Sequence, residues 1–359
     1  MPTATLSSLL ERFREGDIAA LARAISMVEG EREGFQELLH DVLAHGPAAR
    51  RVGITGPPGA GKSSLVASVA QAYRTRGDRV GVVAVDPTSP YSGGALLGDR
   101  IRMGDLATDP GIFIRSMASR GSMGGLATTT KEVLDVMDRF GFGHVLVETV
   151  GVGQTELEIT SAADTVIVVL VPESGDAIQA MKAGLMEIAD VFVVNKADRP
   201  GASRLAQDIR QALHLRAGAA LRDVPAHHGV DLAGVARAAR GRADGKAGLE
   251  GAESATPGAG AGWEIPVLTT NALTNEGVTE LLGAIDAHRV WLEASGALRT
   301  RRRERARGRV RDVVDRELRR AAWSATATAS RLDAGLDEIE AGTATPYSLA
   351  REILAALLR

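Results

Sequence analysis

The sequence predicts a three-layer α/β/α domain on a mostly parallel sheet, preceded by a helical extension and followed by a helical arm. Short runs of Val and Ile, typical of strands buried on both faces, alternate with helical spacing from residue 51 onward. This alternation implies βαβ units with right-handed crossovers. Apolar residues make up 45% of the chain but aromatic residues only 3%, so Ala, Val, Leu and Ile must fill the core.

The bulk composition narrows the classes of function. The 359 residues carry a net charge of −3, which argues against a general binder of nucleic acids or membranes. There is no cysteine, which excludes disulfides, zinc–thiolate sites and a cysteine nucleophile. Neither a signal peptide nor an apolar run long enough for a membrane span is visible. We therefore expect a cytoplasmic protein without a nucleic-acid or membrane partner.

The first element is a helical extension over residues 1–47. Ile18, Leu21, Ile25 and Val28 keep helical spacing, and a second apolar stripe runs from Phe35 to Val42. We expect these helices to pack on the domain that follows.

The central domain is expected over residues 48–288 and contains seven strand candidates. They lie at residues 51–55, 80–86, 112–116, 144–149, 165–171, 191–195 and 265–269. An Ala- and Gly-rich stretch at residues 217–262 interrupts the rhythm, with a helical pattern only at residues 232–240. We expect a flexible insertion there, and a tolerated surface loop is favoured over a regulatory element.

Residues 289–359 are expected to form a helical arm. Its beginning, residues 299–311, is rich in arginine, with only Glu304 to offset the positive charge. The pattern fits an anionic partner such as RNA, but a solvated helix face or a protein–protein arm is favoured. A long polar helical segment outside the core is also typical of a dimerisation arm.

The clearest motif follows the first strand candidate and opens a helix. It matches G-x-x-x-x-G-K-[ST], the P-loop pattern, in which backbone N–H groups and a helix N-terminus surround a phosphate. Lys62 can reach the β- and γ-phosphates, and the Ser63 hydroxyl can bind Mg²⁺. The predicted phosphate-binding residues are Gly56, Pro57, Pro58, Gly59, Ala60, Gly61, Lys62, Ser63 and Ser64.

A second motif, Asn195-Lys196-Ala197-Asp198, ends the apolar strand at residues 191–195 and matches N-K-x-D. The Asp198 carboxylate can accept from guanine N1–H and the exocyclic amine, whereas adenine would leave it unpaired. The Lys196 stem can cover the base, and Asn195 can tie this loop to the P-loop. The two motifs together predict a site for GTP and GDP.

A further base-contacting segment is expected after the last strand. Asn271, Ala272 and Leu273 stand in that position. Many GTPases have Ser-Ala there, so Asn271 departs from the usual pattern, but backbone N–H groups can make the same contact.

Acids and a glutamine stand where metal and water chemistry is expected. Glu148, at the tip of the strand at residues 144–149, can lie near Mg²⁺, and Gly151 lets the backbone approach the γ-phosphate. Gln154 can orient the attacking water or be an ordinary loop residue. The predicted catalytic residues are Lys62, Asp99, Glu148 and Gln154, and the predicted metal ligands are Ser63, Asp86, Asp99 and Glu148.

Asp86 and Asp99 flank a Gly-rich segment. This fits a switch that senses Mg²⁺ and γ-phosphate, but turn formation by Asp86 and helix capping by Asp99 explain them equally well. Arg100 and Arg102 can supply an arginine to the transition state, although surface roles are favoured.

Taken together, these segments resemble the methylmalonyl-CoA mutase-associated GTPases, the MeaB/ArgK/MMAA group of P-loop GTPases. The stretches that carry the resemblance are GPPGAGKSSL from Gly56, VDPTSPYSGGALLGDRIRM from Val85, VETVGVGQTE from Val147, SGDAIQAMKAGLMEIADVFVVNKADRPGA from Ser174, and NAL at Asn271. The resemblance covers nearly the whole chain, except that the Ala/Gly-rich insertion departs from the compact family pattern.

The resemblance implies a homodimer joined by the C-terminal helices, acting as a G-protein chaperone of an adenosylcobalamin-dependent acyl-CoA mutase. Such a chaperone gates cofactor loading and protects or reactivates the mutase. By motif position, Asp86, Asp99 and Glu148 are implied to lie around Mg²⁺. Residues 174–184 resemble a further switch loop, in which Gln179 and Lys182 couple the nucleotide state to the mutase.

Two other functions stay open on sequence grounds. A P-loop kinase linked to amino-acid transport would require a phosphoacceptor and usually ATP, which the guanine motif disfavours. A metal-insertion GTPase would require exposed Cys/His clusters, and this chain offers only His227-His228 as an adjacent pair.

Overall fold

A computed structural model describes residues 4–44, 49–86, 106, 108–118, 128–149, 158–173, 184–220, 262–324 and 326–357. Seven parallel strands form one sheet in the order β3-β2-β4-β1-β5-β6-β7. The strands are β1 Arg50–Thr55, β2 Val80–Asp86, β3 Ile112–Ala118, β4 His144–Thr149, β5 Thr165–Leu170, β6 Val191–Val194 and β7 Val267–Thr269. The predicted α/β fold with seven strands is confirmed, with strand ends shifted by two residues at most.

Helices cover both faces of the sheet. The described residues contain the helices α1 Ala4–Arg14, α2 Ile18–Glu29, α3 Phe35–Leu43, α4 Lys62–Thr75, α5 Thr128–Arg139, α6 Ala202–Ala220, α7 Val278–Ala294, α8 Ala297–Ser324, α9 Thr326–Glu340 and α10 Pro346–Leu357. Side chains alternate across β2: Val83 and Val85 pack in the core cluster of α1–α3, α5 and α6, whereas Val80 and Val82 pack with α4 and α7. A strand covered on both faces has no need of polar residues, which explains its continuous apolar run.

The N-terminal helices pack on the sheet side that carries α5. Leu21, Ile25 and Val28 of α2 are fully buried, as their helical spacing requires. Ile18 belongs to the same sequence pattern but stands in the first turn, where 38% of it stays exposed. The Arg115 guanidinium of β3 pairs with Glu29 of α2, which adds an ionic contact between this extension and the edge strand.

A network of charges closes the edge of the sheet where the strands begin. The Arg51 guanidinium of β1 donates to Asp138 at 2.7 Å and to Asp135 at 2.8 Å, both on α5. Burial alone would lower the pKa of Arg51, but the two carboxylates outweigh it and raise that pKa. Asp138 also accepts from the Ala49 N–H at 2.9 Å. Here β1 is therefore joined to α5 by buried ion pairs.

The chain divides into two compact units, residues 1–299 and residues 300–359. In the second unit, Arg331 of α9 donates to Glu338 of the same helix and to Glu352 of α10. A Cβ at Gly335 of α9 would lie 2.4 Å from the Leu349 side chain of α10. Glycine therefore lets α9 and α10 approach closely. The domain boundary expected between residues 288 and 289 lies inside α7, where His288 and Leu292 are both buried.

Most of the expected insertion lies outside the described residues. Helix α6 continues to Ala220, so regular structure reaches four residues into the stretch that the sequence marked as irregular. Described chain resumes at Gly262, shortly before β7.

Candidate functional site

The glycine loop after β1 is shaped by close approaches that only glycine permits. Gly56 has a φ of 138°, and a Cβ there would lie 2.0 Å from the Val169 carbonyl oxygen. Gly61 has a φ of 81° and precedes α4, and a Cβ there would lie 2.5 Å from Asn195 Nδ2. The loop therefore wraps tightly against the ends of β5 and β6, and its backbone curls at the N-terminus of a helix.

Lys62 lies inside this loop rather than in solvent. Its Nζ donates to the carbonyl oxygens of Gly56 at 2.9 Å and Pro57 at 3.0 Å, and the residue is only 6% exposed. Phosphate oxygens can replace carbonyl oxygens as acceptors, so an ammonium held in this way can bind a phosphate in the loop. Helix α4 begins at Lys62 itself.

Ser63 and Glu148 meet at the end of β4. The Ser63 hydroxyl donates to Glu148 Oε1 at 2.7 Å, and Glu148 is only 4% exposed. A hydroxyl oxygen and a carboxylate oxygen at this distance are the hard donors that Mg²⁺ prefers, so the pair fits the ion. Next to them, Thr149 Oγ1 donates to Thr55 Oγ1 at 2.8 Å and holds the tips of β4 and β1 together.

Other predicted residues of the metal and catalytic set lie outside the part that the structure describes. Asp86 ends β2, but its side chain is not described, and Asp99, Gly151, Gln154, Gln179 and Lys182 lie wholly outside. Among the described residues, no group of three or more His, Cys, Asp and Glu side chains is arranged to hold a metal ion.

Asn195 links three loops through one amide. Its Nδ2 donates to the Ala60 carbonyl at 2.9 Å, which joins residues 195–199, the base loop, to the P-loop. Its Oδ1 accepts from Thr270 Oγ1 at 3.1 Å and from the Ala272 N–H at 3.2 Å. The buried amide thus fixes the base loop, the phosphate loop and the segment after β7 relative to one another.

The rest of the base loop turns toward solvent. Lys196 has a left-handed φ of 56°, and the Arg199 N–H closes a turn onto its carbonyl at 2.9 Å. Asp198 is exposed, and within the described residues it takes part in no hydrogen bond or ion pair. Its carboxylate is therefore open to a ligand.

The segment after β7 is held on both sides. The Ala272 carbonyl accepts from Ser68 Oγ of α4 at 2.8 Å, and the Leu273 N–H donates to Asn271 Oδ1 at 3.1 Å. Asn271 is thus buried as a turn-forming side chain, a use of this residue that the sequence did not indicate. Leu273 is 87% exposed, beside the base loop.

Sequence reasoning missed one side chain at this edge. Glu173 follows β5 and contacts both Lys196 and Arg199 of the base loop. The available signal was its position, because a polar residue just after a buried parallel strand lies at the edge where the other strands end.

A parallel sheet, a glycine loop around a buried lysine, and an Asn-anchored loop with an open carboxylate define a P-loop nucleoside triphosphatase. The family model described as methylmalonyl Co-A mutase-associated GTPase MeaB matches residues 21–327. The chain belongs to this family, and it is a GTPase that binds guanine nucleotides.

Individual relatives agree with this assignment. A protein of Pyrococcus abyssi is 43% identical over 309 residues, which cover 86% of this chain and 84% of that protein. GTPase ArgK of Escherichia coli is 32% identical over 322 residues, which cover 88% of this chain and 85% of ArgK. A solved structure titled LAO/AO transport system kinase has a TM-score of 0.64 and 25% identity, covering 100% of this chain and 99% of that one.

No helix in the described part of the chain is long and apolar enough to cross a membrane.

Proposed function

We propose that this GTPase is a nucleotide-dependent chaperone of an adenosylcobalamin-dependent acyl-CoA mutase of the methylmalonyl-CoA mutase type. The observation that carries the proposal is the match of residues 21–327 to a family described by its association with that mutase. The chaperone gates cofactor loading and protects or reactivates the mutase.

In the proposed site, the P-loop residues Gly56 to Ser64 hold the phosphates, and Lys62 neutralises their charge. Mg²⁺, when bound, screens the β- and γ-phosphates. Ser63 and Glu148 are its proposed ligands on the described side, and the contact between their oxygens supports this assignment. Asp86 and Asp99 are the other proposed Mg²⁺ ligands. Gly151 is proposed to let the backbone approach the γ-phosphate, and Gln154 to orient the attacking water.

Guanine is proposed to lie against Asn195, Lys196 and Asp198, with Asn271, Ala272 and Leu273 beside it. The open Asp198 carboxylate supports this, since guanine N1–H and the exocyclic amine are its complementary donors. Asn195 keeps the loop in place through the Ala60 carbonyl.

The proposed assembly is a homodimer formed through the C-terminal helices. Val310, Val314 and Leu318 of α8 recur every four residues and are 63%, 49% and 60% exposed. An apolar stripe at helical spacing on an otherwise charged helix is typical of a helix–helix interface.

The proposal is tested by measuring GTP hydrolysis of the purified chain alone and with methylmalonyl-, isobutyryl- or ethylmalonyl-CoA mutases. We expect slow basal turnover that one mutase raises by about tenfold or more, which corresponds to at least about 1.4 kcal/mol of added transition-state stabilisation. Light scattering should give twice the mass of the chain. The Lys62→Ala variant, assayed in parallel, controls for contaminating GTPases.

Fast turnover by the chain alone, together with no binding to any of the three mutases, would sink the proposal. Transfer of the γ-phosphate to an acceptor other than water would instead support a kinase.

A further inference from the structure

Glu173 lies where the carboxyl ends of two neighbouring strands meet. It comes two residues after Val171, in the segment that leaves β5, and it faces the base loop that follows β6. Its Oε2 lies 3.5 Å from Lys196 Nζ, and its Oε1 accepts a short hydrogen bond from Arg199 Nη1. One carboxylate therefore bridges both cations of the base loop.

These two cations flank the carboxylate that is proposed to recognise guanine. Lys196 precedes Asp198 by two residues and Arg199 follows it directly. Because both cations are only one or two residues from Asp198 in the sequence, either could reach its carboxylate by rotation of side chains alone if nothing else held it. An Asp198 carboxylate engaged by a guanidinium would be a weaker acceptor for the ligand.

We propose that Glu173 is a positioning residue for guanine recognition, which draws Lys196 and Arg199 away from Asp198 and so leaves its carboxylate open to the base. Glu173 also anchors the far end of the Lys196 side chain, whose stem is proposed to cover the base. The inference rests on the proposed base site.

The backbone of the base loop is held by hydrogen bonds that do not involve Glu173. The role of Glu173 in recognition can therefore be tested separately from the folding of the loop. The Asn195 N–H donates to the Leu170 carbonyl at 2.8 Å and the Ala197 N–H donates to the Thr270 carbonyl at 3.0 Å, both independently of Glu173. Side-chain exposure is 42% for Glu173, 33% for Lys196 and 52% for Arg199. Loss of Glu173 should therefore rearrange charges without unfolding the loop.

The test compares binding of GDP and IDP to the full-length protein by calorimetry, in the wild type and in Glu173→Gln. Inosine lacks the exocyclic amine, so the ratio of the two affinities reports how fully Asp198 engages the base. We expect Glu173→Gln to weaken GDP binding about three- to fivefold, the scale of an exposed ion pair, and IDP binding less. The preference for GDP should shrink accordingly.

Two further variants sharpen the result. Glu173→Gln combined with Arg199→Gln should restore part of the GDP preference, because the competing guanidinium is gone and only Lys196 is left to compete. Glu304→Gln breaks a comparably exposed pair with Arg307 on α8 and should leave both affinities unchanged. High salt should reduce the difference between wild type and Glu173→Gln, since exposed charges are screened.

Equal weakening of GDP and IDP, or no change in either, would overturn the inference. The Asp198→Asn variant distinguishes failure of the Glu173 role from failure of the base site. Its amide can donate to the C2 carbonyl of xanthine, so this variant should favour XDP over GDP. If Asp198→Asn still prefers GDP, the base site itself is misplaced. If it switches while Glu173→Gln is silent, only the role of Glu173 fails.

Discussion

The two ends of β1 hold buried cations in different ways. At the start of the strand, the Arg51 guanidinium lies between the carboxylates of Asp135 and Asp138. Beyond its end, the Lys62 ammonium donates to the backbone carbonyls of Gly56 and Pro57. The first arrangement joins a strand to a helix by charge, whereas the second presents a cation to acceptors that a phosphate can replace. We therefore expect the start of β1 to serve stability and the loop beyond its end to serve nucleotide binding.

The largest effect is expected at Lys62, beyond the end of β1. Lys62→Ala should lower GTP hydrolysis by about 10³-fold, because the phosphates lose a charge-assisted donor in a buried loop. That factor corresponds to about 4 kcal/mol of transition-state stabilisation. Steady-state hydrolysis and nucleotide binding measure it, and the free energy of unfolding without nucleotide should change far less.

Arg303→Ala is the matched control, since it removes one positive charge from an exposed position on α8. It should hydrolyse GTP like the wild type. Wild-type turnover by Lys62→Ala would show that the phosphate site is wrongly assigned.

The opposite pattern, a loss of stability without a loss of nucleotide binding, is expected at the start of β1. Asp138→Ala leaves the Arg51 guanidinium with Asp135 alone and removes the acceptor of the Ala49 N–H. We expect a loss of about 3 kcal/mol in the free energy of unfolding, because the buried guanidinium loses one of its two carboxylates and the Ala49 N–H loses its acceptor. Urea denaturation measures it, and affinity for GDP should be retained in the folded protein.

For comparison, Glu304→Gln breaks an exposed pair with Arg307 and should change stability by less than about 1 kcal/mol. Should Asp138→Ala prove equally mild, the contrast between the two ends of β1 would have to be abandoned.

The smallest effect is a pH dependence of the free energy of unfolding, and it arises at the same end of the sheet, where the strands begin. His144 opens β4, stacks on Tyr73 at a centroid distance of 3.6 Å, and lies 3.4 Å from an Asp78 oxygen. Burial lowers the pKa of His144 to about 4, although Asp78 partly opposes the shift. The unfolded chain binds this proton near its ordinary pKa of about 6.5, so acid favours unfolding.

The contribution of His144 is complete above about pH 6.5 and is lost as the pH falls toward 4. Between pH 7.5 and 5.5 we expect a loss of about 1.3 kcal/mol in the free energy of unfolding. His144→Phe keeps a ring against Tyr73 and should remove this part of the dependence. An unchanged pH profile in His144→Phe would mean that other groups cause it.

Residues that act through local sequence were predictable. The P-loop glycines precede α4, and the turn from Asn195 to Asp198 follows β6, so each motif carries its own strand or helix context. The seven apolar runs identified the strands because burial on both faces leaves a continuous signal.

Partners far apart in the chain were less accessible. Asn271 was expected to contribute backbone contacts, but its side chain closes a turn onto the Leu273 N–H. Glu173 was overlooked because its contacts with Lys196 and Arg199 depend on β5 and β6 being neighbours.

The sequence by itself determined the fold class, the P-loop and the guanine motif, because periodicity and contiguous motifs encode them. Only the tertiary structure decided that Ser63 meets Glu148 across 85 residues and that Asn195 meets Ala60 across 135. The physical reason is the strand order β4-β1-β5-β6, which brings the ends of four parallel strands side by side. Strand order depends on packing between distant elements, and no local pattern records it.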